Sequence, residues 1–297
     1  MKLSFFIQRL ALLAICFVIS HASANNLLAN SESLYALPTA TPSTVEELIN
    51  ALARSDVTVL GEIHYNPRHH QLRGELLRQL PAASKTVVAE HLNWRQRFTP
   101  QAELLTGLQA AGFDDQGWSW PLHQSLFEAV IASQMPLMGG NLPGESIKEV
   151  FKTRGQSLPE PVRVLLAKTP FDELQRKAMN EEIDQGHCGA MPASMFEGMT
   201  AVQRGRDAAM AEVALAHLPS VVLAGNGHAW KHLGVPFVVN KVSPHSQTLS
   251  VLFMEWDDGR PLQEKQAFLA DLASQADYVW LTPPQSREDP CGKLLKK

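Results

Sequence analysis

The chain is poor in cysteine and in tyrosine, with three of each in 297 residues. Three thiols exclude a metal centre built from cysteine alone. No run of basic residues stands out, which argues against nucleic acid as a partner. After the first two dozen residues no apolar stretch is long enough to cross a bilayer. The glycine fingerprints of phosphate and dinucleotide sites, the Gly-x-Ser-x-Gly elbow and His-Glu-x-x-His are all missing. Repeats and low-complexity tracts are missing too. These gaps remove the common nucleotide-dependent, serine-hydrolase and zinc-protease classes.

What is present begins with an export signal. Lys2 and Arg9 form a basic start, Leu10 to Ile19 an apolar stretch, and Ala22-Ser23-Ala24 a small-x-small cleavage site. Residues 1–24 are read as a signal peptide, which predicts an exported, periplasmic or outer-membrane-associated protein. Cys16 after Leu13-Ala14-Ile15 raises a lipid anchor as an alternative, although Ile15 is bulky for lipoprotein processing. Removing the signal leaves 273 residues with 24 basic and 30 acidic side chains, a formal net charge of −6. That length suits one large domain. In an oxidising compartment Cys188 and Cys291 can pair. The alternative is a free buried Cys188 and a loose Cys291.

Twice an apolar run stops at Gly-x-x-His. Val57 to Leu60 leads into Gly61-Glu62-Ile63-His64, and Val221 to Ala224 into Gly225-Asn226-Gly227-His228. Each reads as a buried strand delivering polar groups to its carboxyl end, where ligands bind in open α/β sheets. Thr86 to Ala89 ends at Glu90-His91, and Pro136 to Gly139 at Gly140-Asn141. Helical patterns fall between the runs, at 44–53, 69–80, 101–110 and 123–133. The alternation predicts an α/β fold with a mainly parallel sheet and flanking helices. From about 144 to 218 the strand signal disappears and helices are expected at 146–152, 160–168, 172–184 and 197–218, a helical insertion subdomain. Phe237 to Asn240, Thr248 to Glu255 and Tyr278 to Leu281 are read as later strands. Residues 25–43, rich in Asn, Ser and Pro, are read as a flexible leader, and 44–290 as the domain.

Several of these groups suit chemistry. Glu62 and His64 lie two apart, on one side of an extended chain, and can bind a metal or act as a base and its partner. Gly61, Gly140, Gly225 and Gly227 permit tight turns and close approach of a ligand. His69-His70 opens a helix as a cap or a solvated pair. Tyr65 follows His64, and phenolate and imidazole both ligate haem iron. Gln203, Arg206, Asp207 and Met210 share a helix face. His187 and Cys188 lie in a glycine-bracketed turn, as ligands or as a helix end.

Taken together, Gly61-Glu62-Ile63-His64 with His69-His70, Asp184-Gln185-Gly186-His187-Cys188-Gly189 with Met191-Pro192, Gln203-x-x-Arg206-Asp207-x-x-Met210-Ala211, and Gly225-Asn226-Gly227-His228 with Leu233-Gly234-Val235-Pro236 resemble the ChaN-like family of haem-binding uptake proteins. That family belongs to a wider group with the Tiki proteases and erythromycin esterase-like enzymes. The resemblance runs from about 45 to 245. It implies an α/β core with a helical subdomain, an exported protein of bacterial iron acquisition, and haem binding, with a homodimer holding haem between subunits. It also implies an outer-membrane haem receptor or another uptake component as partner. Cys-x-x-Cys-His is absent, so any haem is held non-covalently. The chain departs from the family pattern at Tyr65, where Asp is common, and at His123, where Tyr is common after the Trp-Pro segment. His123 or Tyr65 is therefore expected to ligate the iron, with His64, His187, Arg206 and His228 around the haem. Arg206 or Lys231 would meet the propionates, and Trp118, Trp120, Phe127, Met195, Phe196 and Met199 would supply apolar walls.

Two other readings compete. A hydrolase, with or without a divalent metal ion, would use Glu62, His64, Glu90 and His228. A binding or assembly protein would use the polar strand ends only to stabilise loops.

Overall fold

A computed structural model describes residues 27–29, 31–37, 39–287 and 291. The expected signal at 1–24 and Cys16 lie outside the described residues.

The architecture is three layers, with helices on both faces of an eight-stranded sheet. The sheet runs β2-β1-β8-β7-β3-β6-β4-β5. Its six central and right-hand strands are β8 (Tyr278–Thr282), β7 (Thr248–Glu255), β3 (Val57–Leu60), β6 (Ser220–Leu223), β4 (Thr86–Asn93) and β5 (Leu137–Asn141). These six are mutually parallel. Strands β3 and β6 are buried along their whole length, as continuous apolar runs covered on both faces should be. β1 (Ser33–Ala36) and β2 (Thr41–Pro42) add an antiparallel edge, with β1 paired to β8. This corrects the flexible-leader reading for these residues. Their order comes from the β8 edge, a partner some 240 positions away that their own composition does not announce.

One face is covered by α1 (Val45–Arg54), α2 (Pro67–Gln79), α3 (Leu104–Ala110) and α4 (Gln124–Ala132). α1 starts where expected. Thr44 accepts from the Glu47 N–H and the Glu47 carboxylate returns to the Thr44 N–H, a capping box, and such caps contribute about 1 kcal/mol. The other face carries α7 (Glu173–Gly186), α8 (Phe196–Ala216), the one-turn α9 (Asn226–Ala229), α10 (Val235–Val242) and α11 (Leu262–Leu272). Together with α5 (Gly144–Lys152) and α6 (Glu160–Lys168), α7 and α8 fill the all-helical stretch between β5 and β6. Leu142, Val150, Leu158, Val162 and Val202 give this stretch a small core of its own. No helix among the described residues is long and apolar enough to cross a membrane.

The strand expected at Phe237 to Asn240 is instead part of α10. Gly234 caps that helix and Pro236 sits in its first turn, where proline's fixed φ favours a helix start. A short apolar run alone does not separate a buried helix from a strand.

Candidate functional site

The two Gly-x-x-His segments become neighbours because β3 and β6 pair directly, with Leu60 opposite Leu223. Ala89 of β4 lies level with Leu223 on the far side. Glu62, Glu90 and His91 therefore gather at one sheet edge. β4 continues to Asn93, so Glu90 and His91 are strand residues, not groups beyond its end. Alternation along the strand sends them to opposite faces, and the expected single cluster becomes two.

On the α10 side, His228 is the centre. Its Nδ1 lies 2.6 Å from Asp207 Oδ1 and its Nε2 3.4 Å from Glu90 Oε1. Glu90 also accepts the Gly225 N–H at 2.8 Å. Burial alone would lower the His228 pKa, but the Glu90 and Asp207 carboxylates outweigh it and raise it to about 10. Burial pushes the Glu90 carboxyl up. The His228 charge and the hydrogen bonds from His228 and the Gly225 N–H overcome it, holding Glu90 well below the ordinary carboxylate range. Burial leaves Asp207 raised despite the attraction of His228. This is a buried ion cluster with His228 charged.

On the α2 side, Glu62 is the centre. Arg73 of α2 pairs with its Oε2, and His70 Nδ1 is 2.8 Å from the same oxygen. Oε1 faces His64 Nδ1 at 2.9 Å, His91 Nε2 at 3.6 Å and His123 Nε2 at 3.7 Å. His70 donates from Nε2 to the His64 carbonyl at 2.9 Å, and burial lowers its pKa to about 4. His69 accepts the Ile63 N–H on Nδ1 at 3.1 Å and meets the Thr282 hydroxyl with Nε2 at 3.0 Å. Burial takes its pKa to about 3. Neither is a solvated pair. Both are neutral clamps on the turn that carries His64.

His64 joins the two groups. Its Nδ1–H donates to Glu62, which leaves Nε2 with a lone pair. A Cβ placed on Gly225 would lie 2.7 Å from that Nε2, so glycine there is what admits the ring. Gly225 itself has an ordinary negative φ of −65°. Gly227 is in open space but for the Gln203 amide, so the four expected glycines do not share one role. Burial first, then the His228 and Arg206 charges, lower the His64 pKa against the pull of Glu90, and the ring stays neutral.

A cleft of about 540 Å³ opens beside His64, within the size range of small-molecule sites. Its apolar wall is Met179, Ile183, Met199, Val202, Trp230 and Leu233, and its polar groups include Tyr65, His187, Gln203, Arg206 and His228. A second hollow of about 210 Å³, lined by Trp118, His123 and Asn141, shares His64, Tyr65, Glu90 and Arg206 with the first. Tyr65 is 61% exposed and stands at the rim of both. His187 gives its Nδ1–H to the Ile183 carbonyl at 2.6 Å and borders the cleft with the rest of its ring. Next to it, Cys188 is bonded to Cys291. Arg206 Nε is buried at the cleft without a protein acceptor.

Other expected residues lie outside the larger cleft. His123 is 1% exposed and packs against His70 and His91 at ring distances of 4.0 and 4.7 Å. Lys231 is paired with Asp277, outside the cleft. Phe127 is in the core, Trp120 packs on Phe113, and only Met199 of the expected walls lines the larger cleft. Arg73 was not foreseen. A charged residue in an Arg- and His-rich helix start reads as surface, and only its spacing from Leu72 and Leu76 hinted at burial. With Glu62 held by Arg73 and Glu90 by His228 and Gly225, neither carboxylate stands free as a base.

Fold and site thus define an α/β/α protein with an apolar cleft over a buried Glu–His floor. The profile of the family described as haem-binding uptake, Tiki superfamily, ChaN, matches residues 48–239, and the chain belongs to that family. Haem binding of the uptake type is the function this membership carries. Among solved structures the chain is similar to ChaN of Campylobacter jejuni, a structure of cofacial haem binding, at 20% identity. That match covers 84% of this chain and 96% of that one, with a TM-score of 0.62. At this identity the likeness speaks to the fold. Two further structures, a Bacillus cereus protein and the type III effector HopBA1, match at 11% and 12% identity and a TM-score of 0.42 each. They cover 72% and 80% of this chain and 69% and 92% of their own. No curated protein matches in sequence.

Proposed function

We propose that this is an exported haem-uptake protein whose cleft binds haem non-covalently, with His64 Nε2 as its iron ligand. The observation that carries the ligand assignment is the Glu62–His64 pair. A carboxylate that takes Nδ1–H fixes the tautomer and makes the other nitrogen a better donor to metal. Tyr65 stands at the rim beside it, and His187 and His228 border the same cleft. The donor set fits the group. The wall offers thioether, aliphatic and indole surface for a flat apolar ring system, and Arg206 holds an unpartnered guanidinium nitrogen for a propionate. Bound haem would supply an iron centre that accepts an imidazole. The chain's own part is to orient His64 through Glu62, to neutralise propionate charge through Arg206, and to exclude water with Met179, Ile183, Met199 and Trp230.

Export rests on residues 1–24. A periplasmic or outer-membrane-associated location would put the chain where an outer-membrane haem receptor or another uptake component can hand haem over. A homodimer, with the exposed Tyr65 edge facing its mate, belongs to the same reading.

Haemin titration of the full chain tests the reading. The parent is expected to give a shifted Soret band with an imidazole-type spectrum, His64→Ala to lose that spectrum, and Arg206→Ala to bind more weakly. A parent that gives no shifted band removes the haem reading. A tyrosinate spectrum abolished by Tyr65→Phe, or an imidazole spectrum abolished by His123→Phe and kept by His64→Ala, removes the ligand assignment.

A further inference from the structure

Beneath the cleft, four ring nitrogens lack hydrogen-bond partners, Nδ1 and Nε2 of His91 and of His123. Both side chains are buried, and so is Glu62 between them. Native interiors leave few buried polar atoms unpaired, and an unpaired cluster asks for an explanation such as an ion. The distances point the same way. Glu62 Oε1 to the two Nε2 atoms is 3.6 and 3.7 Å, too long for hydrogen bonds. A tetrahedral ion with ligands at about 2.0–2.1 Å would separate its ligand atoms by roughly 3.3–3.4 Å, so the two distances from Glu62 are within a few tenths of an ångström of those an ion would set. Among the described residues, these three form a group whose donor atoms all lie within 4.8 Å of one another.

We propose that Glu62, His91 and His123 form a binding site for a divalent first-row transition ion, Zn(II) or Fe(II), beneath the haem cleft, with Glu62 shared as the carboxylate that orients His64. Two imidazoles and one carboxylate suit ions of this borderline softness and disfavour Ca(II) and Mg(II), which want oxygen. Arg73 engages Oε2, while Oε1 accepts the His64 Nδ1–H at 2.9 Å and also faces His91 and His123. The guanidinium places a positive charge near the ion, and the Glu62 carboxylate that pairs with it offsets that charge. A fourth position adjoins the hollow bordered by His64, Trp118 and His123, wide enough to admit water. Neither Nδ1 has an acceptor. Such outer partners typically strengthen a ligating imidazole by about 10–100-fold, so weaker binding is expected than at sites that have them.

The test uses the full chain, freed of haem and treated with chelator. Co(II) is titrated while the visible d–d bands are followed, and Zn(II) is then added to displace it. The parent is expected to take up one Co(II) per chain with the intense bands of a four-coordinate nitrogen–oxygen site, and to lose them to Zn(II). His91→Phe and His123→Phe, which keep a ring in the packed space, are expected to weaken binding by roughly tenfold or more. A parent without stoichiometric Co(II) uptake overturns the proposal, and so do phenylalanine variants that bind as the parent does. Should both variants fail to fold, the parent spectrum decides alone: octahedral, weak bands overturn the site. The readout needs no haem, so failure of the haem titration and failure of the metal site are separate results.

Discussion

Asp207 Oδ1 lies 2.6 Å from His228 Nδ1, with both side chains buried, and this contact ties the second Gly-x-x-His segment to the long helix α8. Removing Asp207 leaves His228 its Glu90 partner but strips the buried Nδ1–H of its acceptor, which costs about 1–3 kcal/mol. Asp207→Ala is therefore expected to lower stability by that amount in urea unfolding. The pair also sets an alkaline limit. The folded His228 pKa is raised to about 10, so its contribution is complete below the unfolded value of about 6.5 and is lost as pH rises toward 10. The parent should lose urea stability across that window and Asp207→Ala should lose less. Equal slopes would contradict the pairing.

The acid limit comes from the other face. Burial holds His69 and His70 at about 3 and 4. The unfolded chain protonates these rings below pH about 6.5 and the folded chain does not. Their contribution is complete above that pH and is lost as pH falls toward the folded values. Each such group contributes a slope of up to about 1.4 kcal/mol per pH unit. Urea midpoints at pH 7, 6 and 5 are expected to fall steadily. A chain equally stable at pH 5 and pH 7 would contradict neutral clamps at these positions.

Gly225 reports on His64. Its backbone angles suit any residue, but an added Cβ would meet the His64 ring at 2.7–2.8 Å. Gly225→Ala should fold normally and push the ring from its rotamer, at a cost of roughly 0.5–1.5 kcal/mol. Haem affinity is expected to fall by up to about tenfold, with melting temperature little changed. Unaltered affinity would place the ligand elsewhere.

Much of the sheet is legible in the sequence because its central strands are continuous apolar runs. Val57 to Leu60 and Thr248 to Glu255 begin and end where their patterns do. The pairing of β3 with β6 is not legible, because the chain completes β4 and β5 and seven α-helices before it returns to that slot. Glu62, His64, Glu90 and His228 are visible as polar groups after strands, but their division into two clusters depends on strand register. Arg73 escapes notice and His70 reads as a cap or a solvated residue, because charged and polar helix residues usually face water, and here both face Glu62. Ser33 to Ala36 is ordered by β8 and α10 is set by Gly234 and Pro236, and in both cases tertiary partners or caps outweigh composition. Cys188 and Cys291 are bonded across a separation of 103 residues, a closeness that spacing cannot reveal.

The central claim is that haem sits in the cleft on His64. Its most direct test is the anomalous iron signal in crystals of the haem-loaded chain. The account predicts iron within coordination distance of His64 Nε2, with a propionate against Arg206. Iron bound to the Tyr65 phenol or to His123, or lying outside the cleft lined by Met179, Ile183 and Trp230, would contradict it.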